Sequence, residues 1–208
     1  MSNFSSGRAM PLLIVLLFVG GMFLYGEITK ISTPDDDSPR DLKTTYPTLA
    51  YQALFVQDSS AGKAYVIVSC DGEGHLRIKE KAPYLLDSRI TLIDYLKEKK
   101  YSLTEHNKTY QTARLTNMEV GIFDEQVFRF LKSIKLGVKD LGGVKAEGWR
   151  TKLPIDDDKQ IEAWYAEKTG CLLLAKGKGI TTTLLKFQEG KLPKENFELP
   201  ADFKKTAI

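Results

Sequence analysis

The side chains able to do chemistry in this 208-residue chain are few: two histidines, two cysteines and 27 acidic residues. His75 and His106 both fall at expected strand ends beside turns, and neither stands at a metal-ligand spacing from Cys70 or Cys171. No nucleophile elbow of the G-x-S-x-G type and no glycine loop built for phosphate occurs. Asp35-Asp36-Asp37 lacks the alternating oxygen ligands and central glycine of a calcium loop, so it reads as a solvated acidic linker. A carboxylate pair needs no local spacing, but 27 acidic residues single out no pair. The chain therefore reads as non-catalytic, without cofactor or metal. Cys70 and Cys171 leave two readings open. In an exported domain they would form a disulfide contributing about 4 kcal/mol in the chain-entropy model, or they stay as two buried free thiols.

The formal charge is +3, with both signs interspersed along the domain, which excludes a nucleic-acid stripe. Lys97, Lys99 and Lys100, with Lys204 and Lys205 near the end, are basic groups able to touch anionic lipid head groups, although most such clusters are solvated turns.

Residues 9–26 form an uncharged apolar stretch behind Arg8, long enough to span a bilayer as a helix. Its exit, Phe23-Leu24-Tyr25-Gly26-Glu27, lacks the small residues that a cleavage site needs, which favours an uncleaved signal anchor over a signal peptide. Arg8 holds the short amino-terminal tail in the cytoplasm, and the body of the chain lies outside, on the periplasmic or cell-surface side. Were the segment cleaved, the domain would be secreted. Three regions follow: 1–29 as signal anchor or signal peptide, 30–47 as an acidic proline-containing linker, and 48–208 as one domain.

Within that domain the apolar pattern alternates with period two over Leu49–Gln57, Ala64–Cys70, Leu76–Lys81, Arg89–Tyr95, Lys100–Glu105, Thr109–Leu115, Val144–Leu153, Gln160–Glu167, Leu172–Lys176, Thr181–Gln188 and Phe197–Leu199. Turn chemistry separates the runs at Ser60–Lys63, Asp71-Gly72, His106–Lys108, Asp156–Asp158 and Lys168–Gly170. Connections this short predict an antiparallel meander. One segment has helical period: Phe123, Val127, Phe130, Leu131 and Ile134 share a face, Asp124 caps the start and Gly137 ends it. The predicted fold is mainly β (α+β), a curved antiparallel sheet or half-barrel covered by one or two helices, behind an amino-terminal transmembrane or signal helix.

Several short motifs resemble the LolA/LolB-like superfamily of exported carrier domains. They are Gly142-Gly143-Val144, Gly148-Trp149, Ala163-Trp164-Tyr165 followed by Thr169-Gly170, and Phe197-Glu198-Leu199-Pro200-Ala201-Asp202-Phe203. Lys100–Leu103 running to Tyr110 is similar to an upstream hairpin of the same family. The likeness covers about residues 48–205, and Ala166 departs from it where the family has an aspartate after the Trp-Tyr pair. The resemblance implies a half-barrel whose concave face, under its helices, leaves an apolar cavity for acyl chains. Tyr51, Phe55, Tyr65, Ile67, Phe128 and Trp149 are the candidate lining on that basis.

Two functions are compatible with this reading. One is a membrane-anchored extracytoplasmic binding protein for a lipid, a lipoprotein acyl chain or another apolar ligand. The other is an envelope sensing or protein-interaction module of the same fold, with an envelope protein as partner and no small ligand.

Overall fold

The computed structural model describes residues 46–83, 85, 87–115, 123, 125, 128, 133–153, 156–177 and 179–206. The apolar stretch 9–26 and almost all of the 30–47 linker lie outside the described residues, and among those described no helix is long and apolar enough to cross a membrane.

The alternating runs become strands β1 (Ala50–Ser59), β2 (Gly62–Asp71), β3 (His75–Lys81), β4 (Arg89–Asp94), β5 (Lys99–Thr104) and β6 (Thr109–Arg114). They continue as β7 (Ile134–Leu141), β8 (Val144–Leu153), β9 (Asp156–Ala166), β10 (Leu172–Gly177), β11 (Ile180–Glu189) and a two-residue β12 (Lys204–Lys205). All belong to one open curved sheet in the order β12-β6-β5-β4-β3-β2-β1-β11-β10-β9-β8-β7. Every pairing is antiparallel except β12 on β6.

The order records two meanders that meet at β1 and β11. The chain walks outward from β1 to β6, reappears at the opposite edge as β7, and walks back to β11 beside β1. The connection between β6 and β7 must therefore cross the sheet. Its described residues lie on one face: Phe123 packs on Phe55 at 5.0 Å between ring centroids, and Phe128 meets Tyr165 edge-on at 5.9 Å. This face, carrying Tyr51, Ala53 and Phe55 on β1 and Val66, Val68 and Cys70 on β2, is the inner face.

The helix expected over 123–134 lies mostly outside the described residues. Glu125 and Phe128 are helical, but Ser133 N donates to Phe128 O, and the chain is already extended at Ile134. Gly137 does not end a helix; it sits in β7 at a bulge opposite β8, with φ of 92°. Ile134 continued the helical period by coincidence, because a spacing of three or four residues across a helix–strand boundary looks like one more turn. Two further expectations are corrected. Asp156–Asp158 are strand residues of β9, with Asp156 already paired to Leu153 of β8. Phe197 ends a short 3-10 helix (Lys194–Phe197) rather than starting a strand, and the terminal strand comes later, at Lys204–Lys205.

Burial changes sides along the sheet. On β4 and β5, Ile90, Leu92 and Leu103 are buried on the outer face, with Tyr101, Tyr110, Leu199 and Phe203 packed against them. The carboxyl-terminal segment provides that cover, held by Lys204 N donating to Lys108 O and Thr206 N to Tyr110 O. The described residues all fall within one compact unit, Arg40–Ile208.

Candidate functional site

Among the described residues, one concavity lies at the end of the inner face and another on the outer face. The inner one, about 380 Å³, is lined by Tyr46, Pro47, Thr48, Leu49 and Tyr51 from the entry to β1, Phe123 and Glu125 from the crossover, and Lys168, Thr169 and Gly170 from the β9–β10 turn. Its size falls within the range of small-molecule sites. The turn is there because Lys168-Thr169-Gly170 has the residues that reverse a chain: Gly170 takes φ of 64°, and its N–H donates to Ala166 O at 2.8 Å. Glu125 is oriented by Trp149, whose Nε1 donates to its Oε1 at 3.1 Å, tying the crossover to β8.

Beyond this mouth the inner face is filled by the chain itself. Phe55, Phe128 and Tyr165 are each at most 2% exposed, and Tyr51 stacks on Phe187 at 5.4 Å. Each fully buried aromatic of this kind contributes roughly 1.5–3 kcal/mol, so the centre of the face gains by being closed.

The sequence candidates separate by strand register. Tyr51, Phe55 and Phe128 are buried on the inner face, with Tyr51 also at the mouth. Trp149 is half-buried, and Lys135 Nζ lies 5.7 Å from its ring centroid. Tyr65 and Ile67 are corrected: they stand on the outer face, 49% and 37% exposed. The reason is parity. β1 and β2 pair as Tyr51↔Cys70 and Phe55↔Val66, so the odd residues of β1 share a face with the even residues of β2. Phe123, Tyr165 and Phe187 were missing from the candidates. Alternation on β9 and β11 carried a signal for the last two, whereas Phe123 reaches the face only through the crossover.

Cys70 and Cys171 are free and buried. Cys171 directly precedes β10, and β1 and β11 lie between β2 and β10, which keeps the two thiols out of pairing position. Cys70 Sγ donates to Pro47 O at 3.7 Å, and burial pushes the Cys171 thiol up to about 12.

The outer cleft, about 430 Å³, lies between the ends of β3–β5 and the 3-10 helix and holds the densest set of charged groups. His75 Nδ1 donates to Asp71 Oδ2 at 2.5 Å, its Nε2 is 3.9 Å from Asp94 Oδ1, and Phe197 stands 6.5 Å from the imidazole. The pattern resembles an acid–base pair, but both carboxylates are engaged by their own turns. Asp71 Oδ1 accepts the N–H groups of Glu73 and His75, and Asp94 accepts from Lys97 through both N and Nζ. Burial opposes the charge on Asp94, but the Lys97 hydrogen bonds outweigh it and hold the carboxyl below its ordinary range. Among the described residues, no serine, threonine or cysteine lines the cleft to serve as nucleophile. The network fastens the β2–β3 and β4–β5 turns. His106 pairs with Asp87 at 2.9 Å in the β5–β6 turn, and no group of three or more His, Cys, Asp or Glu among the described residues is placed to hold a metal ion.

Of the lysines singled out for lipid contact, Lys99, Lys204 and Lys205 are exposed. Lys97 is bound to Asp94 at 2.8 Å and Lys100 is 6% exposed.

No protein-family model matches the sequence, and none of the curated proteins does. Among solved structures the chain is similar to an uncharacterized conserved protein from Thermus thermophilus, with a TM-score of 0.56 and 11% identity over 80% of this chain and 94% of that one. It also aligns with Pseudomonas aeruginosa MucB from the MucA/MucB complex, at a TM-score of 0.47 and 13% identity over 81% of this chain, spanning 62% of the other. A LolA superfamily protein from Nitrosomonas europaea aligns at a TM-score of 0.37 and 8% identity, over 76% of this chain and 94% of that one. At these identities the likeness is one of fold alone.

Proposed function

We propose that this chain is a non-catalytic extracytoplasmic binding protein that takes one apolar group, such as an acyl chain, at the inner-face mouth. The observation that carries the reading is the 380 Å³ cavity, which opens beside Tyr46, Leu49, Tyr51 and Phe123 at the edge of a continuous aromatic core. An apolar tail entering there would meet Tyr46, Leu49, Tyr51 and Phe123, while Thr48, Glu125, Lys168 and Thr169 supply polar lining for a head. The amino-terminal apolar stretch would hold the domain at the membrane, where such molecules reside.

A second reading, a protein-interaction module of the same fold, is favoured by a different fact. The centre of the inner face is already closed by Phe55, Phe128 and Tyr165, so a long ligand would have to displace them. Native mass spectrometry of residues 40–208, purified without detergent from the extracytoplasmic fraction, separates the two. A stoichiometric acyl-containing mass, lost in a Leu49→Asp variant, supports the binding protein. A clean apo mass, with envelope proteins recovered by crosslinking, moves the function to the interaction module.

A further inference from the structure

The outer face of the central strands carries apolar side chains in register. Reading across the ladder, one row runs Lys81, Tyr65, Val56, Thr183, Leu174 and Trp164, and the next runs Lys79, Ile67, Leu54 and Lys186. Leu185, 53% exposed, stands at the β1–β11 bulge, next to Lys186 and one strand beyond Leu54 and Val56 from Tyr65 and Ile67. Scattered exposed apolar residues are ordinary, but neighbours on adjacent strands make a continuous patch.

The charges around the patch are unbalanced. Asp58 is matched by Lys63 at 3.9 Å, Glu105 by Lys79 at 3.2 Å and Glu162 by Arg150 at 2.5 Å. Lys81, Lys176 and Lys186 are exposed and have no ion pair among the described residues. Lys139 Nζ lies 3.5 Å from the Trp164 ring centroid, adding a fourth cation at the edge.

The sign and type of these charges choose the partner. Protein interface cores are depleted in lysine, which is flexible and strongly hydrated. A flat apolar strip with a tyrosine and a ring of long cations fits a diffuse anionic plane instead: lysine stems lie along apolar surface while their ammonium groups reach outward. We propose that this outer-face patch is a docking surface for an anionic lipid bilayer. It is independent of whether the inner mouth holds a ligand. The sequence-predicted anchor fits the same arrangement, because the roughly 20 residues between 26 and 46 extend at most about 70 Å.

The test is vesicle co-sedimentation of residues 40–208, which contain the whole sheet and both of its covers in one compact unit. Binding is expected to vesicles of phosphatidylcholine mixed with phosphatidylglycerol, to weaken with added salt, and to be absent with phosphatidylcholine alone. Lys81→Glu with Lys186→Glu should lower partitioning at least about 25-fold, taking about fivefold per lysine. Tyr65→Ser should lower it at any salt concentration. Lys191→Glu with Lys194→Glu makes the same net charge change away from the patch and should stay within about twofold. Failure to bind the anionic vesicles, equal binding to neutral ones, or equal loss in both double variants would overturn the proposal.

Discussion

On β1 and β2 the buried apolar side chains, Tyr51, Ala53 and Phe55 opposite Cys70, Val68 and Val66 with Ala64 beyond them, all lie on the inner face. On β4 and β5 Ile90, Leu92 and Leu103 are buried on the outer face, and only Ile93, in register with Leu76 and Cys70, is a buried apolar residue of the inner face. The other inner positions of those two strands are polar: Arg89, Thr91, Ser102 and Thr104 are at least partly exposed, and Lys100, opposite Ile93, is buried. Along one continuous ladder most apolar burial thus moves from the inner face to the outer face. Hydrogen bonding makes the sheet continuous, but the hydrophobic effect acts only where something covers a face. The crossover between β6 and β7 covers the inner face of the central strands, and Leu199 and Phe203 of the carboxyl-terminal segment cover the outer face of β4–β6. The changeover leaves its mark on Glu80, which lies on the inner face opposite Val66 and is 2% exposed. Arg89 lies 3.8 Å away, but burial dominates and raises the Glu80 carboxyl above its ordinary range.

If the regions are stabilised by separate covers, they should be separable. Phe55→Ala empties the central core and is expected to cost about 3–5 kcal/mol, with protection lost across the whole sheet in hydrogen exchange. Leu103→Ala should cost about 2–4 kcal/mol and raise exchange first in β4–β6, leaving β1 and β2 protected until global unfolding. If both variants open the sheet uniformly, the two covers act as one unit and the distinction fails. The comparison sharpens at Gly148, where an added Cβ would come within 2.5 Å of the Trp164 ring. Gly148→Val should therefore destabilise by about 1–3 kcal/mol in denaturant melts, while β5 and β6 exchange as in the parent.

Two carboxylates give a smaller, pH-dependent contrast. Asp94, held low by Lys97, contributes stability that is present above the ordinary aspartate range and is lost as pH falls through its lowered value. Glu80 has the opposite sign: its raised value favours the protonated folded state, so its contribution is lost as pH rises through that value. Asp94→Asn should flatten the acid limb of stability against pH. Glu80→Gln should raise stability at neutral pH and change it little in acid. Identical pH profiles for the two variants would remove the contrast.

The smallest effect concerns the thiols. With Cys70 and Cys171 buried and free, neither should react with a thiol reagent at pH 8 in the folded chain, and both should react after denaturation without reductant. No reactive thiol in the denatured chain would mean that the two are paired.

The strands were legible because alternation is local. β1, β8 and β11 were found within two residues of their ends, and the turns at Ser60–Lys63, His106–Lys108 and Lys168–Gly170 carried their own signals. β7 was missed because Ile134 extended a helical period and Gly137 looked like its stop. For the candidate lining residues the structure gives the face on which each lies. Tyr51, Phe55 and Phe128 were placed on the inner face, but Tyr65 and Ile67 were assigned to it when they belong outside.

That last error marks the boundary between what the sequence determined and what the tertiary structure decided. Period-two alternation sorts the residues of one strand into two sets, and the composition of each set shows which could be buried. Two things remain open at that level: how the sets of neighbouring strands line up, and which face receives a cover. Register across β1 and β2 answered the first, because a single-residue slip moves every side chain to the other face. The second was answered by segments distant in sequence, the crossover and the carboxyl-terminal tail. Their positions follow from the path of the whole chain around the sheet, which no local window contains.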